Sequence, residues 1–162
     1  MSLLEATFLV HLLPAWSTKL GTRFVKAPKL MLIDTGLAAN LLGLDAARLK
    51  NEPQLRGALL ENFVAVEILK QAGWSEAAPR CYHFRTHSGY EVDLVLETDD
   101  GRIAGVETKS AATVNPDDFK GLRQLAEIAG EKFVCGVVLY DGRKIVPFGE
   151  RIYAVPLCAL WG

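Results

Sequence analysis

The chain has 162 residues, half of them hydrophobic, and its 18 Lys and Arg residues nearly balance 19 Asp and Glu residues to give a net charge of −1. This size predicts one domain with a core of its own, and the near-neutral charge excludes a global attraction to nucleic acid while leaving room for a local basic patch. The three cysteines show no CxxC spacing, so we predict a cytoplasmic protein with reduced thiols. No apolar run reaches the ~18 residues of a membrane-spanning helix, so we predict no membrane partner.

The first part of the chain predicts short elements. Residues 3–13 form an apolar stretch that predicts a short helix. Its hydrophobic stripe needs cover, either from the body of the domain or from a second copy through self-association. Residues 23–33 predict a hairpin or two short strands broken at Pro28. Basic residues recur from Lys19 to Lys29, and they form either a local patch or ordinary solvated edges and loops.

The remaining elements alternate between helices and strands. A long helix is predicted to begin near Pro53 and to end near Ala72, just before a glycine. Residues 133–140 are almost wholly apolar, as expected for a strand buried on both faces. The other predicted elements are helices at 35–42, 45–50 and 116–129, strands near 81–86, 90–97, 103–109 and within 143–154, and a last helical turn at 156–161. The order helix, strand, strand, strand, helix, strand predicts an α/β fold with a central mixed β-sheet flanked by helices.

Two of these strands carry acids that the turn between them brings together. Residues 99–101 can form a three-residue loop, with Gly101 at the position that needs a left-handed conformation. This register places Asp93 opposite Glu107, whereas a two-residue loop would place Asp93 opposite Thr108. Because directly opposed carboxylates repel each other, a raised pKa, Lys109 or a metal ion must offset their repulsion.

Strand alternation then sorts the side chains onto two faces. Asp93 shares one face with Glu107 and Lys109, and the other face is apolar, formed by Val92, Leu94, Leu96, Ala104 and Val106. Two carboxylates and an ammonium would form a site for a divalent cation and a water molecule. Glu61 lies away from the polar stripe of the long helix. It is either a third acid aimed at this cluster or a partly exposed glutamate paired with an arginine.

Four segments in this order carry a family resemblance: residues 28–38 (PKLMLIDTGLA), 57–64 (GALLENFV), 83–93 (HFRTHSGYEVD) and 106–110 (VETKS). They resemble the C-terminal domain of unknown function found in prokaryotic AAA+ family ATPases, which has a PD-(D/E)xK nuclease-like fold. The resemblance implies a restriction-endonuclease-like αβββαβ core within residues 31–162 and the remnant of a winged-helix-like linking segment in residues 1–30. It also implies a partner ATPase module that is missing from this chain, because the chain has no GxxxxGK[ST] motif.

The acid cluster and the resemblance together predict a metal-dependent nuclease that acts on DNA or RNA. Asp93 and Glu107 would bind Mg²⁺ or Mn²⁺, with the Thr108 carbonyl as a further ligand. Glu61 would support the metal or a second water. Lys109 would orient the attacking water or stabilise the charge that develops on the phosphate.

Neighbouring residues have two interpretations each. Arg85 either contacts a substrate phosphate or is an ordinary surface arginine, and His83 and His87 are expected to be structural or exposed. Two other functions stay open beside the nuclease. One is a catalytically silent nucleic-acid-binding or regulatory module of an ATPase, and the other is a protein-interaction domain that buries residues 3–13 against a partner.

Overall fold

A computed structural model describes residues 3–19, 21, 23 and 26–162 of the chain. Its strands are β1 (Val10–Leu13), β2 (Lys29–Leu32), β3 (Arg80–Arg85), β4 (Glu91–Glu97), β5 (Ile103–Lys109), β6 (Phe133–Tyr140), β7 (Val146–Gly149) and β8 (Ile152–Pro156). Its helices are α1 (Leu3–Ala6), α2 (Thr35–Leu41), α3 (Ala46–Asn51), α4 (Pro53–Trp74) and α5 (Lys120–Ala129), with 3-10 turns at Pro116–Phe119, Gly130–Lys132 and Leu157–Trp161. Within these described ranges, no helix is long and apolar enough to cross a membrane.

The described strands form a mixed six-stranded sheet in the order β3-β4-β5-β6-β8-β7 and a separate two-stranded sheet of β1 and β2. Neighbours β3–β4, β4–β5 and β7–β8 are antiparallel, whereas β5–β6 and β6–β8 are parallel. Helix α4 packs on one face, where Val64 and Ile68 join Leu94 and Val106. Helix α5 covers the other face through a cluster that includes Leu122, Leu125, Val95, Ile103 and Phe133. The predicted mixed sheet flanked by helices is therefore confirmed.

The N-terminal elements differ from the prediction. The predicted helix over residues 3–13 is wrong, because only the single turn α1 is helical and Val10–Leu13 is a strand that pairs antiparallel with β2. Strand pairing prevails there because Val10 and Leu13 are both buried while the backbone between them is hydrogen-bonded to β2. The apolar side chains before the strand stay exposed, among them Leu3 and Phe8, each 82% exposed.

The predictions for residues 1–30 extend beyond the described residues. A strand after Pro28 is confirmed as β2, whereas the part of the predicted hairpin at positions 24 and 25 lies outside the described residues. The predicted linking segment also includes positions 1, 2, 20 and 22, which lie outside the described residues. Its winged-helix character stays a prediction.

The register of β4 and β5 is the one that the three-residue loop predicts. Leu94 pairs with Val106 and Glu97 pairs with Ile103. The loop closes with a hydrogen bond from the Gly101 N–H to the Thr98 carbonyl at 2.8 Å, and Gly101 has a φ of 81°. A glycine reaches this left-handed conformation at no steric cost, which fixes the loop and hence the register.

A β-bulge in β4 changes which side chains share a face. Tyr82 pairs with Val95 and Phe84 pairs with Val92, so two residues of β4, Asp93 and Leu94, lie opposite the single residue between the two pairs. The extra residue reverses the alternation. Val92 therefore packs in the α5 cluster with Val95, and the prediction that it shares a face with Leu94 and Leu96 is wrong.

Helix α5 lies against the sheet through Gly121. A Cβ atom at this position would overlap the carbonyl oxygen of Glu91 and would meet a carboxyl oxygen of Glu107 at 2.9 Å. Only a residue without a side chain allows this approach, so Gly121 sets the distance between α5 and the ends of β4 and β5.

We predict that Gly121→Ala destabilises the protein by about 1–3 kcal/mol, because the helix must move away from the strand backbone. The matched control is Gly73→Ala in α4, where nothing lies within 4 Å of the added Cβ. That substitution should be neutral or stabilising by up to ~1 kcal/mol, since alanine has the higher helix propensity. Urea unfolding of both variants measures the difference. Equal stability of the two variants would show that α5 does not depend on this close contact.

Candidate active site

The site lies where the β4–β5 ladder ends. The last paired residues are Leu94 and Val106, and the two acids follow next on each strand. One carboxyl oxygen of Asp93 (Oδ2) accepts a hydrogen bond from the backbone N–H of Thr108 at 2.9 Å. This bond takes the place of a ladder bond and holds the Asp93 carboxyl group between the two strands.

Asp93 and Glu107 lie close enough for each carboxyl group to affect the pKa of the other. Burial raises the pKa of both groups, because it removes water that would stabilise their charge. The charge of Glu61 raises the pKa of Asp93 further, and the charge of Asp93 raises the pKa of Glu107. Because the two carboxyl groups are buried and repel each other when both are charged, the pair keeps a proton above the usual carboxyl range.

Lys29 is a site residue that sequence reasoning missed. Its ammonium forms an ion pair with Glu61 and lies 3.8 Å from Asp93 Oδ1. Burial acts to lower the pKa of Lys29, but the hydrogen bond and charge of Glu61 outweigh it and raise the pKa. The interpretation of Lys29 as part of a solvated basic run is therefore wrong. Glu61 is the partly buried acid that its place on the long helix predicts, and its partner is a lysine rather than an arginine.

Asn62 explains how Lys29 reaches Glu61. The side-chain amide of Asn62 accepts from the Leu32 N–H at 2.9 Å and donates to the Leu32 carbonyl at 2.8 Å. It thereby fixes β2 to α4, one residue away from Glu61. Along β2, Lys29 and the buried Met31 point inward and Leu30 is exposed. This inward alternation is the sequence signal that could have identified Lys29.

The sequence predicts that Lys109 acts on the attacking water or the phosphate, and in the structure its ammonium pairs with an aspartate. Its Nζ lies 2.5 Å from Oδ1 of Asp118 in the 3-10 turn before α5. Asp118 also accepts from the N–H of Asn115 in a capping box, so its position is fixed by the start of that turn. The structure thus brings Asp93, Glu107 and Glu61 together around Lys29, and it holds the Lys109 ammonium at Asp118.

The other predicted residues line the neighbourhood of the acids. Arg85 forms an exposed ion pair with Glu91 at 2.9 Å. The ring of His83 is hydrogen-bonded to the Ala27 carbonyl (3.2 Å), and burial lowers its pKa, so this histidine is structural as predicted. His87 is exposed. The Thr108 hydroxyl is buried and finds no hydrogen-bond partner among the residues that the structure describes.

Only two of the three carboxyl groups, those of Asp93 and Glu107, are placed to bind a cation together. Glu61 is turned towards Lys29. Across residues 3–19, 21, 23 and 26–162, no group of three His, Cys, Asp or Glu side chains is placed to hold a metal ion. A cation at this site would therefore be bound by Asp93 and Glu107 with water completing its coordination.

The raised pKa of Glu107 predicts how the stability of the folded protein depends on pH. In the unfolded chain this group ionises in the usual carboxyl range, whereas the folded protein keeps it protonated to higher pH. The wild-type protein therefore loses stability as pH rises above that range. Glu107→Gln removes this loss and should stabilise the protein by about 1–3 kcal/mol near pH 8, with a smaller gain near pH 5.

Denaturant unfolding across this pH range measures the effect, with Glu127→Gln as the control because Glu127 is exposed on α5. The control should lose stability with rising pH to the same extent as the wild type. A Glu107→Gln profile parallel to that of the wild type would mean that the buried pair ionises normally.

Two segments of the chain match known domain families. Residues 56–160 match a domain of unknown function, DUF4143, which is commonly associated with ATPase-containing proteins. Residues 1–48 match a second domain of unknown function, DUF8612. The site therefore joins both matched regions, since Lys29 belongs to the first segment and the three acids belong to the second.

The chain is also similar to longer mycobacterial proteins. It is 32% identical over 160 residues to an uncharacterized protein of Mycobacterium bovis and to one of Mycobacterium tuberculosis. These alignments cover 94% of this chain, which spans about a third (33%) of the length of each relative. No solved structure matches the chain. Since the match to DUF4143 covers most of the chain and all three acids of the site, the protein belongs to the DUF4143 family.

Proposed function

We propose that this chain is the C-terminal part of a longer ATPase-like protein and that its acid cluster binds Mg²⁺ or Mn²⁺ to hydrolyse phosphodiester bonds in DNA or RNA. The observation that carries the proposal is the placement of Asp93 and Glu107 directly after the last pair of the β4–β5 ladder, with the Asp93 carboxyl group held by the Thr108 N–H and faced by Lys29. The order α4, β3, β4, β5, α5, β6 agrees with the αβββαβ order that a restriction-endonuclease-like core would have, and this agreement supports the proposal.

The residues of the cluster suit a divalent cation. Burial raises the pKa of both carboxyl groups, and a divalent cation that replaced the proton of the pair would stabilise their charged form. Carboxylate oxygens are hard ligands, and Mg²⁺ is usually bound by one or two carboxylates while it keeps several waters. Asp93 and Glu107 would hold the cation, and the Thr108 carbonyl is a candidate further ligand.

Each residue then has a definite role. A bound cation would polarise a phosphate oxygen and lower the pKa of a coordinated water. The Thr108 N–H orients the Asp93 carboxyl group through its 2.9 Å hydrogen bond. Glu61 holds Lys29 against the cluster. Lys109 would stabilise charge on the phosphate after it leaves Asp118, whose carboxylate is only 7% exposed and would keep its hydrogen bond from the Asn115 N–H.

A second candidate is a catalytically silent module that regulates the ATPase or binds nucleic acid. The observation that favours it is the engagement of both lysines: Lys29 already neutralises Glu61, and Lys109 already pairs with Asp118. In this reading the ion pairs are structural and the acids bind no metal. Self-association through the exposed apolar residues of the N-terminal segment, such as Leu3 and Phe8, is compatible with either candidate.

Metal binding gives the first test. Mn²⁺ should raise the melting temperature, because a ligand that binds only the folded state stabilises it, by about 1.4 kcal/mol at ten times its Kd. Asp93→Asn/Glu107→Gln should abolish this increase, measured relative to the metal-free melting temperature of the same variant. The control Glu67→Gln, on α4 in an exposed pair with Lys70, should retain it. An unchanged increase in the double variant would place the metal elsewhere.

Activity gives the second test, on single- and double-stranded DNA and RNA with Mn²⁺. Cleavage by this chain should be slow and suppressed by salt, because a net charge of −1 supplies few phosphate contacts. Lys109→Ala should remove cleavage and keep the Mn²⁺-dependent rise in melting temperature, whereas Lys70→Ala should change neither. The full-length protein is assayed in parallel with ATP. Metal binding without cleavage in every combination would favour the silent module.

A further inference from the structure

A cleft of about 570 Å³ opens beside the acid cluster. One wall is formed by residues 26–29 of the N-terminal segment, and the other is formed by residues 83–87, 89 and 91–93 of the β3–β4 hairpin. Asp93 and Lys29 belong to both the cleft and the cluster. Any group bound in the cleft would therefore lie next to the carboxyl pair. The volume is in the range of sites that hold a small ligand or a part of a larger one.

Three cations line this cleft. Lys26 donates a hydrogen bond to the Arg85 carbonyl at 2.9 Å, which ties the two walls together. Arg85 pairs with Glu91, but both side chains are at least half exposed, so this pair is weak and can exchange for another anion. Lys29 lies deeper, with its ammonium between Glu61 and Asp93.

The three cations have different surroundings in the cleft. Lys29 lies at the acid cluster, where it pairs with Glu61 and has its ammonium 3.8 Å from Asp93 Oδ1. Lys26 and Arg85 belong to the two walls, which the hydrogen bond from Lys26 joins. The cleft therefore has one cation at the acids and two on its walls, so it can contact more than one anionic group.

We propose that this cleft binds the phosphodiester backbone of a single nucleic-acid strand, with Lys29 as the contact to the phosphate beside Asp93 and with Lys26 and Arg85 as contacts to the next phosphate. The inference rests on the proposed function, because it supplies the substrate site of the same centre. It assigns the N-terminal segment a direct part in substrate binding. A strand is favoured over a duplex because the volume of the cleft, about 570 Å³, suits a nucleotide unit rather than a double helix.

The test measures binding without hydrolysis. Fluorescence anisotropy follows a labelled single strand of about 12 nucleotides, in EDTA and at low salt where phosphate contacts are strongest. DNA and RNA of the same sequence form two arms, and a duplex forms the third. Lys26→Ala/Arg85→Ala should weaken single-strand binding about tenfold or more and should flatten its salt dependence. Lys29→Gln should weaken it as well.

The control is Arg143→Ala/Lys144→Ala, which removes the same charge from exposed residues just before β7, at the opposite edge of the sheet from β3. It should change single-strand affinity by less than about twofold. Melting temperatures identify any variant that fails to fold, and Lys26→Gln/Arg85→Gln provides a second pair that keeps side-chain length. An equal loss in the control and the cleft variants, or equal binding of duplex and single strand, would overturn the proposal.

The cleavage assay separates this proposal from the proposed function. Strand binding that depends on the cleft without cleavage in Mn²⁺ supports the cleft and counts against the nuclease. Cleavage whose KM is unchanged in Lys26→Ala/Arg85→Ala supports the nuclease and overturns the cleft as its substrate site.

Discussion

The burial of two carboxyl groups at the end of the β4–β5 ladder is the constraint on which the site depends. A buried carboxylate without a partner is costly, and two of them in contact repel each other. This protein offsets the cost in three ways: a raised pKa of the Asp93–Glu107 pair, the Thr108 N–H at Asp93, and the Lys29 ammonium. Gly121 adds to the constraint, because it brings α5 against the same strand ends. A cation that replaced the proton of the pair would offset the same cost.

Part of this arrangement could be predicted from local sequence. The loop that ends in Gly101 fixes the register, and the register places Asp93 and Glu107 directly after the last ladder pair, Leu94 and Val106. The position of Glu61 on its helix indicates that it points into the protein rather than into water. Both inferences use periodicity and turn geometry within one or two elements, where such rules are strongest.

The parts that could not be predicted depend on partners that are distant in the sequence. The bulge at Asp93 and Leu94 arises from pairing with β3, which no pattern within β4 reveals. Lys29 reaches the acids because Asn62 fixes β2 to α4. Lys109 has the expected face but bonds Asp118, since a long flexible side chain selects its partner from the whole surroundings. The helix predicted at 3–13 gave way to a strand for the same reason, because β2 supplies a pairing edge.

The N-terminal segment is joined to the sheet at more than one point, which is why it can shape the site. The Arg23 guanidinium makes two hydrogen bonds to the Glu97 carboxylate, at 2.5 and 3.0 Å, and lies over the rings of Trp16 and Tyr82. This hydrogen bond holds the pKa of Glu97 below its usual range. The contacts fix the segment at the end of β4 remote from Asp93. Two separate domain families match the two regions of this chain. These contacts and the Lys29–Glu61 pair join the two regions into one structural unit.

The central claim is that the Asp93–Glu107 pair is a cation site. Anomalous diffraction from a crystal soaked in Mn²⁺ tests it most directly, because the signal identifies the metal and its ligands together. The account predicts an anomalous peak within coordination distance of both carboxyl groups, with water filling the remaining positions and Lys29 moved away from Asp93. A map with no peak at this pair, and with the Lys29 ammonium still between Glu61 and Asp93, would contradict the account.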